Sequence, residues 1–464
     1  MSRLAMALVC GLCGHALASP RSDPTSGRSV FTGATMQAAT SIDLDPAAIG
    51  QGTSGYFYAA AVAVFDQYGI RLDQVDPGTG AITQGEPLHD NELGAGGMLA
   101  LVGHVGDRAT LAIDLRSVPA ETFIANRTAL AYHTLGGGQR TYRVGLGASI
   151  RILNELYFGV SLASDASYLH LHYARDAALD AGHGAGGIDS DCGGGPCGVG
   201  NPAAQEHYDV NVNSSLFSTS NLVLTLGVLV EVSRDIWLGV SYHAPPGLQV
   251  QSELRGTMDV LRAPRDGGTL LHGAASVFVS QPASADAELR ARLPAKLDLH
   301  VGARWEDLSR LQAYDVRGYG STFFAAGIPE WQLRPRDLHD PFSLWAGVEQ
   351  VEIERDKDRL LFGARLGIET SSLRDSQTSP LSIAPFSYTA DVGAQLHVGS
   401  FKIQATYGIQ YFPQVTVTDS AFDPRTRIDC IASDYDYASA ACTAARNGYG
   451  IASADGTYER IEHA

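Results

Sequence analysis

The sequence predicts an all-β protein, a transmembrane antiparallel β-barrel of about 14 strands. Three observations lead to this fold class. The composition is apolar but sparsely charged, with 45% hydrophobic and 18% charged residues among 464. Apolar residues alternate with small or polar ones at the period of two that a strand requires. Short turns also alternate with long connections, and no apolar run approaches the roughly 20 residues of a membrane-spanning helix.

The alternation is clearest over residues 142–152, where even positions are apolar and odd positions are Gly, Ser or Arg. Successive side chains of a strand point to opposite faces, so this segment has one apolar face. The same pattern recurs around six short turns, which we place at 106–108, 153–155, 233–235, 306–307, 354–358 and 399–400. Six short turns, with both chain ends on the same side, give seven hairpins and therefore 14 strands.

Long connections rich in Gly, Pro and Asp separate these hairpins, at about 66–95, 119–138, 174–215, 259–284, 319–340, 371–385 and 415–455. Short periplasmic turns and long external loops are typical of bacterial outer-membrane barrels. A secreted β-sandwich also alternates, since one face packs and the other meets water. Polar faces rich in Gly and Ser, with aromatic residues near strand ends, favour the barrel. The expected location is therefore the outer membrane of a Gram-negative bacterium.

The N-terminus has the form of a secretory signal peptide, residues 1–18. Arg3 precedes a short apolar stretch, and Ala16-Leu17-Ala18 fits a small-x-small cleavage site. Cleavage would start the mature chain at Ser19.

Four cysteines remain after this segment, in two close pairs. An even number in an exported chain favours disulfides, Cys192–Cys197 and Cys430–Cys442. Metal binding is the weaker alternative, because zinc sites bring four ligands together. We predict no metal site.

The sequence offers little for a catalytic or nucleic-acid-binding function. The net charge of -17 argues against nucleic acid, whose phosphates require clustered Lys and Arg. The Gly-rich runs do not open a helix after a strand, so they are not phosphate loops. Ser241 and His243 share one face, but no oxyanion element accompanies them, and a hydrolase is only a third alternative. We expect no enzyme activity and no cofactor.

Residues 33–50, with Asp45-Pro46-Ala47, resemble a small-residue stretch ending in Asn-Pro-Ala. That stretch is typical of the long-chain fatty acid and aromatic hydrocarbon outer-membrane transporter family, the FadL type. Residues 238–245 and 293–304 resemble other recurring segments of that family. Asp45 stands where the family has Asn, and it can accept the same turn hydrogen bonds.

The resemblance implies that residues 19–53 fold as a small N-terminal hatch in the lumen and that residues 54–464 form the barrel. It also implies a complete last strand with a terminal aromatic residue. Residues 458–464 lie about where that strand begins, so we expect the last strand to be incomplete.

The implied function is passive, hatch-gated uptake of hydrophobic compounds, with long-chain fatty acids as the expected ligands and outer-membrane lipid as the surroundings of a monomer. A structural or adhesive barrel with disulfide-tied external loops is the alternative. Pro119 could interrupt a strand and open the wall sideways, or lie in a plain loop.

Several side chains are candidates for the ligand site. A fatty-acid carboxylate could bind a cationic lumen side chain; the candidates are Arg143, Arg151, His300, Arg304 and Arg365. The alternative is that these cations pair with lumen or hatch carboxylates such as Asp43, Asp45, Asp298 and Asp391. Phe323 and Phe324 are candidates for an apolar groove, or they anchor their loop to the rim. His170 and His172 share a face that we expect to line the lumen.

Overall fold

The computed structural model describes residues 28–52, 54–75, 82–118, 121–124, 128–176, 209–244, 251–262, 268–280, 282–320, 322–323, 331–355, 358–422 and 453–464. Four predictions lie outside these residues: the signal peptide, both disulfides, the role of Pro119 and that of Phe324. Within the described residues, no helix is long and apolar enough to cross a membrane.

The described chain is almost entirely β-structure. Its α-helical residues are α1 (Ser41–Leu44) and residues 322–323, and 3₁₀ turns cover Ala48–Gln51, Thr128–Leu130, Pro294–Lys296, Leu308–Arg310 and Asp375–Gln377. The strands are β1 (Tyr56–Val75), β2 (Ile82–Gln84), β3 (Leu88–Val105), β4 (Ala109–Ser117), β5 (Glu121–Phe123), β6 (Gly136–Arg151), β7 (Leu156–Asp176), β8 (Asp209–Ser233), β9 (Ile236–Ala244), β10 (Gln251–Arg262), β11 (Thr269–Ser280), β12 (Ser284–Leu293), β13 (Leu297–Glu306), β14 (Ala313–Tyr319), β15 (Trp331–Pro335), β16 (Phe342–Arg355), β17 (Asp358–Glu369), β18 (Ser387–Val398), β19 (Phe401–Val417) and β20 (Gly456–His463).

A ring of 14 hydrogen-bonded strands confirms the predicted barrel and its strand count. Every pair is antiparallel, in the order β1, β3, β4, β6, β7, β8, β9, β12, β13, β16, β17, β18, β19 and β20. Strand β20 then pairs with β1 and closes the ring. Closure matters because lipid offers no hydrogen-bond partner to a free strand edge.

The remaining six strands form an upper tier above the ring, on the side of the long connections. Strand β8 joins both levels, since its residues 224–233 pair with β9 and its residues 210–217 pair with β10. The tier continues from β10 to β11, β14 and β15. Elsewhere in the upper tier, β2 pairs with β1 and β5 pairs with β6.

The outer face of the ring is apolar, as a membrane-embedded wall requires. Large apolar side chains on this face are exposed, among them Leu111, Ile113, Leu115, Val144, Leu146, Leu226, Val240, Leu344, Leu366, Val392 and Ile403. The residues between them on each strand point inward and are small, polar or charged, such as Asp114, Arg116, Ser149 and Ser161. The hydrophobic surface therefore faces lipid, and the polar residues fill the lumen.

Five of the six predicted turns agree with the structure and one is wrong. Glu306-Asp307 is not a tight turn, because β13 ends there and the chain continues to β14 in the upper tier. The turn that joins β12 to β13 is Pro294–Lys296. Ala295 and Lys296 adopt positive φ angles of 67° and 58°, which sequence pattern rarely signals for residues other than Gly and Asn.

Several predicted long connections are too long. Strand β1 reaches Val75 and β3 begins at Leu88, so most of 66–95 is strand. The range 259–284 likewise contains parts of β10, β11 and β12. These strands extend beyond the apolar band, where the outer face meets water and the lipid-facing alternation ends.

The last strand is short. Strand β20 pairs with residues 65–72 of β1 and with residues 409–417 of β19. Residues 56–64 of β1 pair with β3 alone within the described chain. The ring is thus closed over the half nearer the upper tier.

A charge placed on the apolar band tests its assignment. Leu146 is 58% exposed on β6, and Leu146→Arg should destabilise the folded barrel by about 2–4 kcal/mol near the bilayer midplane. Urea unfolding in lipid vesicles, followed by the heat-dependent shift on electrophoresis, measures the loss. The matched control is Asn154→Arg in the turn between β6 and β7. Equal stability of the two variants would contradict the assignment.

Candidate functional site

The N-terminal segment, residues 28–52, lies inside the ring. Helix α1 and the 3₁₀ turn Ala48–Gln51 pack on the inner faces of β4 and β6. Ile42 and Ile49 bury their side chains against Met98 in a common apolar cluster. The helix ends at Leu44 because residue 45 precedes Pro46 and takes an extended conformation.

The Asp45-Pro46-Ala47 motif rests on a floor of glycines from three adjacent strands. The Asp45 Oδ1 atom accepts the Ala47 N–H at 2.9 Å, which fixes the turn. A Cβ atom on Gly159 would come within 2.1 Å of the Ala47 nitrogen, and one on Gly227 within 2.0 Å of Asp45 Oδ1. On Gly239 it would come within 2.4 Å of the Ala34 oxygen. The motif can approach this wall only because side chains are missing there.

The start of the segment rests on a second glycine floor, on β17 and β18. Gly363 and Gly393 are paired across these strands. A Cβ atom on Gly393 would lie 2.6 Å from the Val30 side chain and 2.9 Å from the Phe31 ring. The Phe31 N–H also donates to Glu349 Oε1 at 2.9 Å. The segment therefore spans the lumen between two docking sites, one on β7, β8 and β9 and the other on β17 and β18.

Asp43 joins the segment to two arginines of the wall. Arg116 on β4 donates to Asp43 at 3.0 Å and Arg143 on β6 at 2.5 Å. Arg143 also holds Asp165 through two hydrogen bonds of 2.7 and 2.9 Å. Burial alone would raise the pKa of Asp43, but Arg143 and Arg116 outweigh it and hold the pKa well below its usual range.

Arg304 on β13 belongs to a second ionic cluster. It donates to Asp286 at 3.0 Å and to Glu306 at 2.8 Å. Arg28, at the start of the N-terminal segment, donates to the same Glu306 at 2.7 Å. Cations and carboxylates are matched here, which is what a low-dielectric interior requires.

His300 lies between two carboxylates that hold the N-terminal segment. Its Nδ1 atom is 3.7 Å from Glu288, and its Nε2 atom is 3.6 Å from Glu349. Glu288 accepts the Thr35 hydroxyl at 2.5 Å, and Glu349 accepts the Phe31 N–H. His300 thus supports contacts to the segment from β13.

The other two predicted cations differ in position. Arg365 donates to the Ser29 carbonyl at 3.3 Å and lies 4.6 Å from the centre of the Trp345 ring. Arg151 lies apart from the cluster, at the turn after β6, where it donates to the Asn154 carbonyl at 2.9 Å. Four of the five predicted cations therefore converge on the N-terminal segment, and Arg151 does not.

Sequence reasoning missed Arg116, which is only 2% exposed. The signal was present: Asp114 and Arg116 alternate with the lipid-facing Ile113 and Leu115, so both point into the lumen. A charged residue that points into the lumen from a membrane-spanning strand is a candidate site residue by that position alone. The partner Asp43 is far away in sequence and could not be assigned.

Ser241, His243 and Asp286 are neighbours, but their geometry does not support a hydrolase. The Nε2 atom of His243 faces both the Ser241 hydroxyl at 3.4 Å and Asp286 at 3.2 Å. A catalytic triad uses opposite ring nitrogens for the nucleophile and the carboxylate. The Ser241 hydroxyl also donates to the Leu44 carbonyl at 2.5 Å, which holds the N-terminal segment.

A cavity of about 260 Å³ lies above the N-terminal segment. Its acidic and basic lining residues are Arg28, Asp43, Arg116, Arg143, Asp165, His243, Arg304, Glu306, Glu369, Arg460 and Glu462. Its apolar lining includes Leu44, Val118, Val223, Leu254, Val279, Leu308 and Phe412. The cavity is thus polar below and apolar towards the upper tier.

The inner face of the wall becomes apolar in the upper tier. On β7 the buried inward residues change from Ser161 and Asp165 to Leu169 and Leu171. The change continues around the tier in one apolar cluster that includes Phe123, Tyr173, Val212, Leu216, Leu254, Met258, Val260, Val277, Val279, Leu308, Tyr314, Val316 and Phe323. The predicted lumen position of His170 and His172 is wrong, because they lie in the outward register between these residues.

Phe323 is buried in this apolar cluster. A Cβ atom on Gly273 would lie 2.4 Å from its ring, and one on Gly318 would lie 3.1 Å from it. The ring therefore fits a glycine-floored slot on the inner face of β11 and β14. This position agrees with an anchor for the loop.

Arg334, on β15, is a buried cation of the upper tier that sequence reasoning also missed. It donates to the carbonyls of Tyr132 and His133 at 2.8 and 2.6 Å and lies 4.0 Å from the centre of the Tyr173 ring. No carboxylate of the described residues forms an ion pair with it. Burial lowers the pKa of Arg334 to about 10, with Tyr173 opposing and Arg175 adding to the shift. The side chain still carries its charge at neutral pH.

The closed ring, its apolar outer face and its occupied lumen define a transmembrane β-barrel with the fold of an outer-membrane channel. No family model matches the sequence, and no curated protein matches it. Among solved structures, a Pseudomonas aeruginosa FadL homologue is similar, with a TM-score of 0.72, 14% identity and 97% of each chain covered.

Two further structures have the same fold. The Ralstonia pickettii toluene transporter TbuX has a TM-score of 0.56 and 14% identity, covering 95% of this chain and 96% of its own. The Pseudomonas putida toluene transporter TodX has a TM-score of 0.56 and 13% identity, covering 97% and 96%. The predicted resemblance to the FadL type is therefore confirmed for the fold, which is that of Gram-negative outer-membrane barrels.

Filling the glycine floor should release the N-terminal segment. In Gly159→Ala, the new Cβ meets backbone atoms of residues 46 and 47 that cannot rotate away. We expect docking to weaken by about 1–3 kcal/mol, and proteinase K to digest residues 28–52 about 5- to 150-fold faster.

The matched control is Gly103→Ala on β3, where a Cβ atom meets nothing within 4 Å. The heat-dependent electrophoretic shift should report a folded barrel in both variants. Equal protection of the segment in Gly159→Ala and wild type would show that the floor does not determine docking.

Proposed function

We propose that the protein is an outer-membrane channel for the passive uptake of hydrophobic compounds that carry an anionic group, long-chain fatty acids above all. The observation that carries this proposal is the boundary between an apolar region and a charged cavity. The apolar cluster of the upper tier borders the charged cavity at Leu254, Val279 and Leu308, and both lie above the N-terminal segment. An amphipathic molecule suits such a boundary, because its tail and its head group have different solvent preferences.

Arg334 is the head-group residue that we favour. The five arginines that line the cavity all pair with carboxylates of the protein, whereas Arg334 donates to two carbonyls beside an aromatic ring. A ligand carboxylate would supply a charge-assisted hydrogen bond to a cation that is otherwise matched only by dipoles. The ligand-binding role of the predicted set stays a prediction; of its members, Arg143 pairs with Asp43 of the N-terminal segment and Arg304 shares Glu306 with Arg28.

Residues 28–52 are the proposed hatch. They occupy the lumen below the cavity and are held by the Asp43, Glu288 and Glu349 contacts rather than by covalent links. Ionic and glycine-floor contacts of this kind can be broken and reformed without unfolding the ring. Transport by this route needs no catalytic step and no cofactor, and the ring closes within a single chain, which suits a monomer.

The fold neighbours are named for toluene and for FadL homology, so the ligand class needs a direct test. Purified protein should bind oleate more tightly than oleyl alcohol, which has the same tail without the charge. Arg334→Gln should remove that preference, with a loss of about tenfold to a hundredfold in oleate affinity. Titration calorimetry in detergent measures both ligands.

The matched control is Arg255→Gln on the outer face of β10, whose arginine is exposed and pairs with Glu253. If Arg334→Gln lowers affinity for both ligands equally, the residue has only a structural role.

Uptake of oleate by a transport-deficient host separates the channel from the adhesive alternative. The full-length protein should restore uptake, and deletion of residues 28–50 should change its rate. A host that takes up no oleate with either form would favour the structural barrel, whose predicted disulfides lie outside the described residues.

A further inference from the structure

Asp45 is a carboxyl group in an unusual position. It is fully buried, although it lies in a turn between two short helical elements. Its Oδ1 atom accepts the Ala47 N–H, but its Oδ2 atom has no hydrogen-bond partner among the described residues. An ionised carboxylate would leave one charged oxygen buried without a donor, which is strongly unfavourable.

The surroundings of Asp45 add negative rather than positive charge. Strand β12 contributes Asp286 and Glu288, and strands β8 and β9 contribute the glycine floor. Basic side chains of the neighbouring strands bind these two carboxylates: His243 and Arg304 bind Asp286, and His300 faces Glu288.

The pKa of Asp45 follows from this setting. Burial raises it well above the ordinary value, the Ala47 N–H opposes this shift, and Glu288 and Asp286 add to it.

Asp43, two residues earlier, is the internal comparison. It lies in the same segment and is also largely buried, but two arginines bind it directly. Among the described residues, the protein interior therefore supplies two arginine partners to Asp43 and no ion-pair partner to Asp45. Asp45 also stands where the resembling family has Asn, a neutral side chain of the same shape.

We propose that Asp45 is a proton-operated latch, which holds the N-terminal segment in the lumen when it is protonated and releases it when the proton is lost to lumen water. A protonated Asp presents one acceptor and one donor, much as Asn does, and so fits the glycine floor without a buried charge. This inference rests on the proposed role of residues 28–52 as the hatch.

The direction of the pH effect follows from proton linkage. The docked segment holds one proton more than the released one, so docking is tightest below the ordinary Asp pKa of about 3.9. It weakens as the pH rises from there to the raised pKa of the docked group, by up to about tenfold per pH unit. Asp43 has the opposite sign, but its contribution is lost only in acid, below the ordinary Asp pKa.

Single-channel conductance in planar lipid bilayers between pH 5 and 9 tests the latch without any ligand. Openings of the wild-type channel should become more frequent with rising pH, by up to about tenfold per unit. Asp45→Asn should keep openings rare over the whole range. The matched control is Asp43→Asn, which should raise opening at every pH and keep the slope.

Two outcomes would overturn the latch: a wild-type channel whose opening does not change with pH, or an Asp45→Asn channel with the wild-type slope. Proteinase K protection of residues 28–52, measured across the same pH range on wild-type protein, gives the answer even if Asp45→Asn fails to fold. Protection that does not fall with rising pH would contradict the proposal. Because neither readout contains a fatty acid, failed uptake and a failed latch are distinguishable.

Discussion

The structure depends on one constraint: backbone hydrogen bonds of strands in lipid must be satisfied within the protein. The pairing of β20 with β1 meets this requirement over residues 65–72 of β1 and turns an open sheet into a ring. Closure then divides every strand into a lipid face and a lumen face, so that apolar residues such as Leu146 are exposed while Arg143, three residues earlier on β6, is enclosed. Charged residues are thus buried because the ring of strands encloses the lumen, and not because they lie in a hydrophobic core.

A closed lumen lined by charged groups needs internal partners, and the N-terminal segment supplies several of them. Asp43 compensates Arg116 and Arg143, and Arg28 shares Glu306 with Arg304. Glycines on facing strands make the close approach possible. The segment therefore belongs to the packing of the barrel interior.

The sequence predicted the strand count, the inward register of Arg143, His300, Arg304 and Arg365, and five of the six turns. The prediction from sequence failed where the outer face of a strand does not contact lipid. In the upper tier the outer face meets water and the inner face is apolar, so the phase of the alternation reverses and His170 was assigned to the wrong side. The turn at Pro294–Lys296 was missed because its positive φ angles are carried by Ala295 and Lys296.

The sequence by itself determined the class of protein, because the period of two and the lipid-facing apolar residues are local properties of each strand. Only the tertiary structure decided what the lumen residues do. The ion pair between Asp43 and Arg143 and the missing partner of Asp45 Oδ2 depend on which strands surround the N-terminal segment. Those neighbours come together through ring closure, a long-range event that no local pattern encodes.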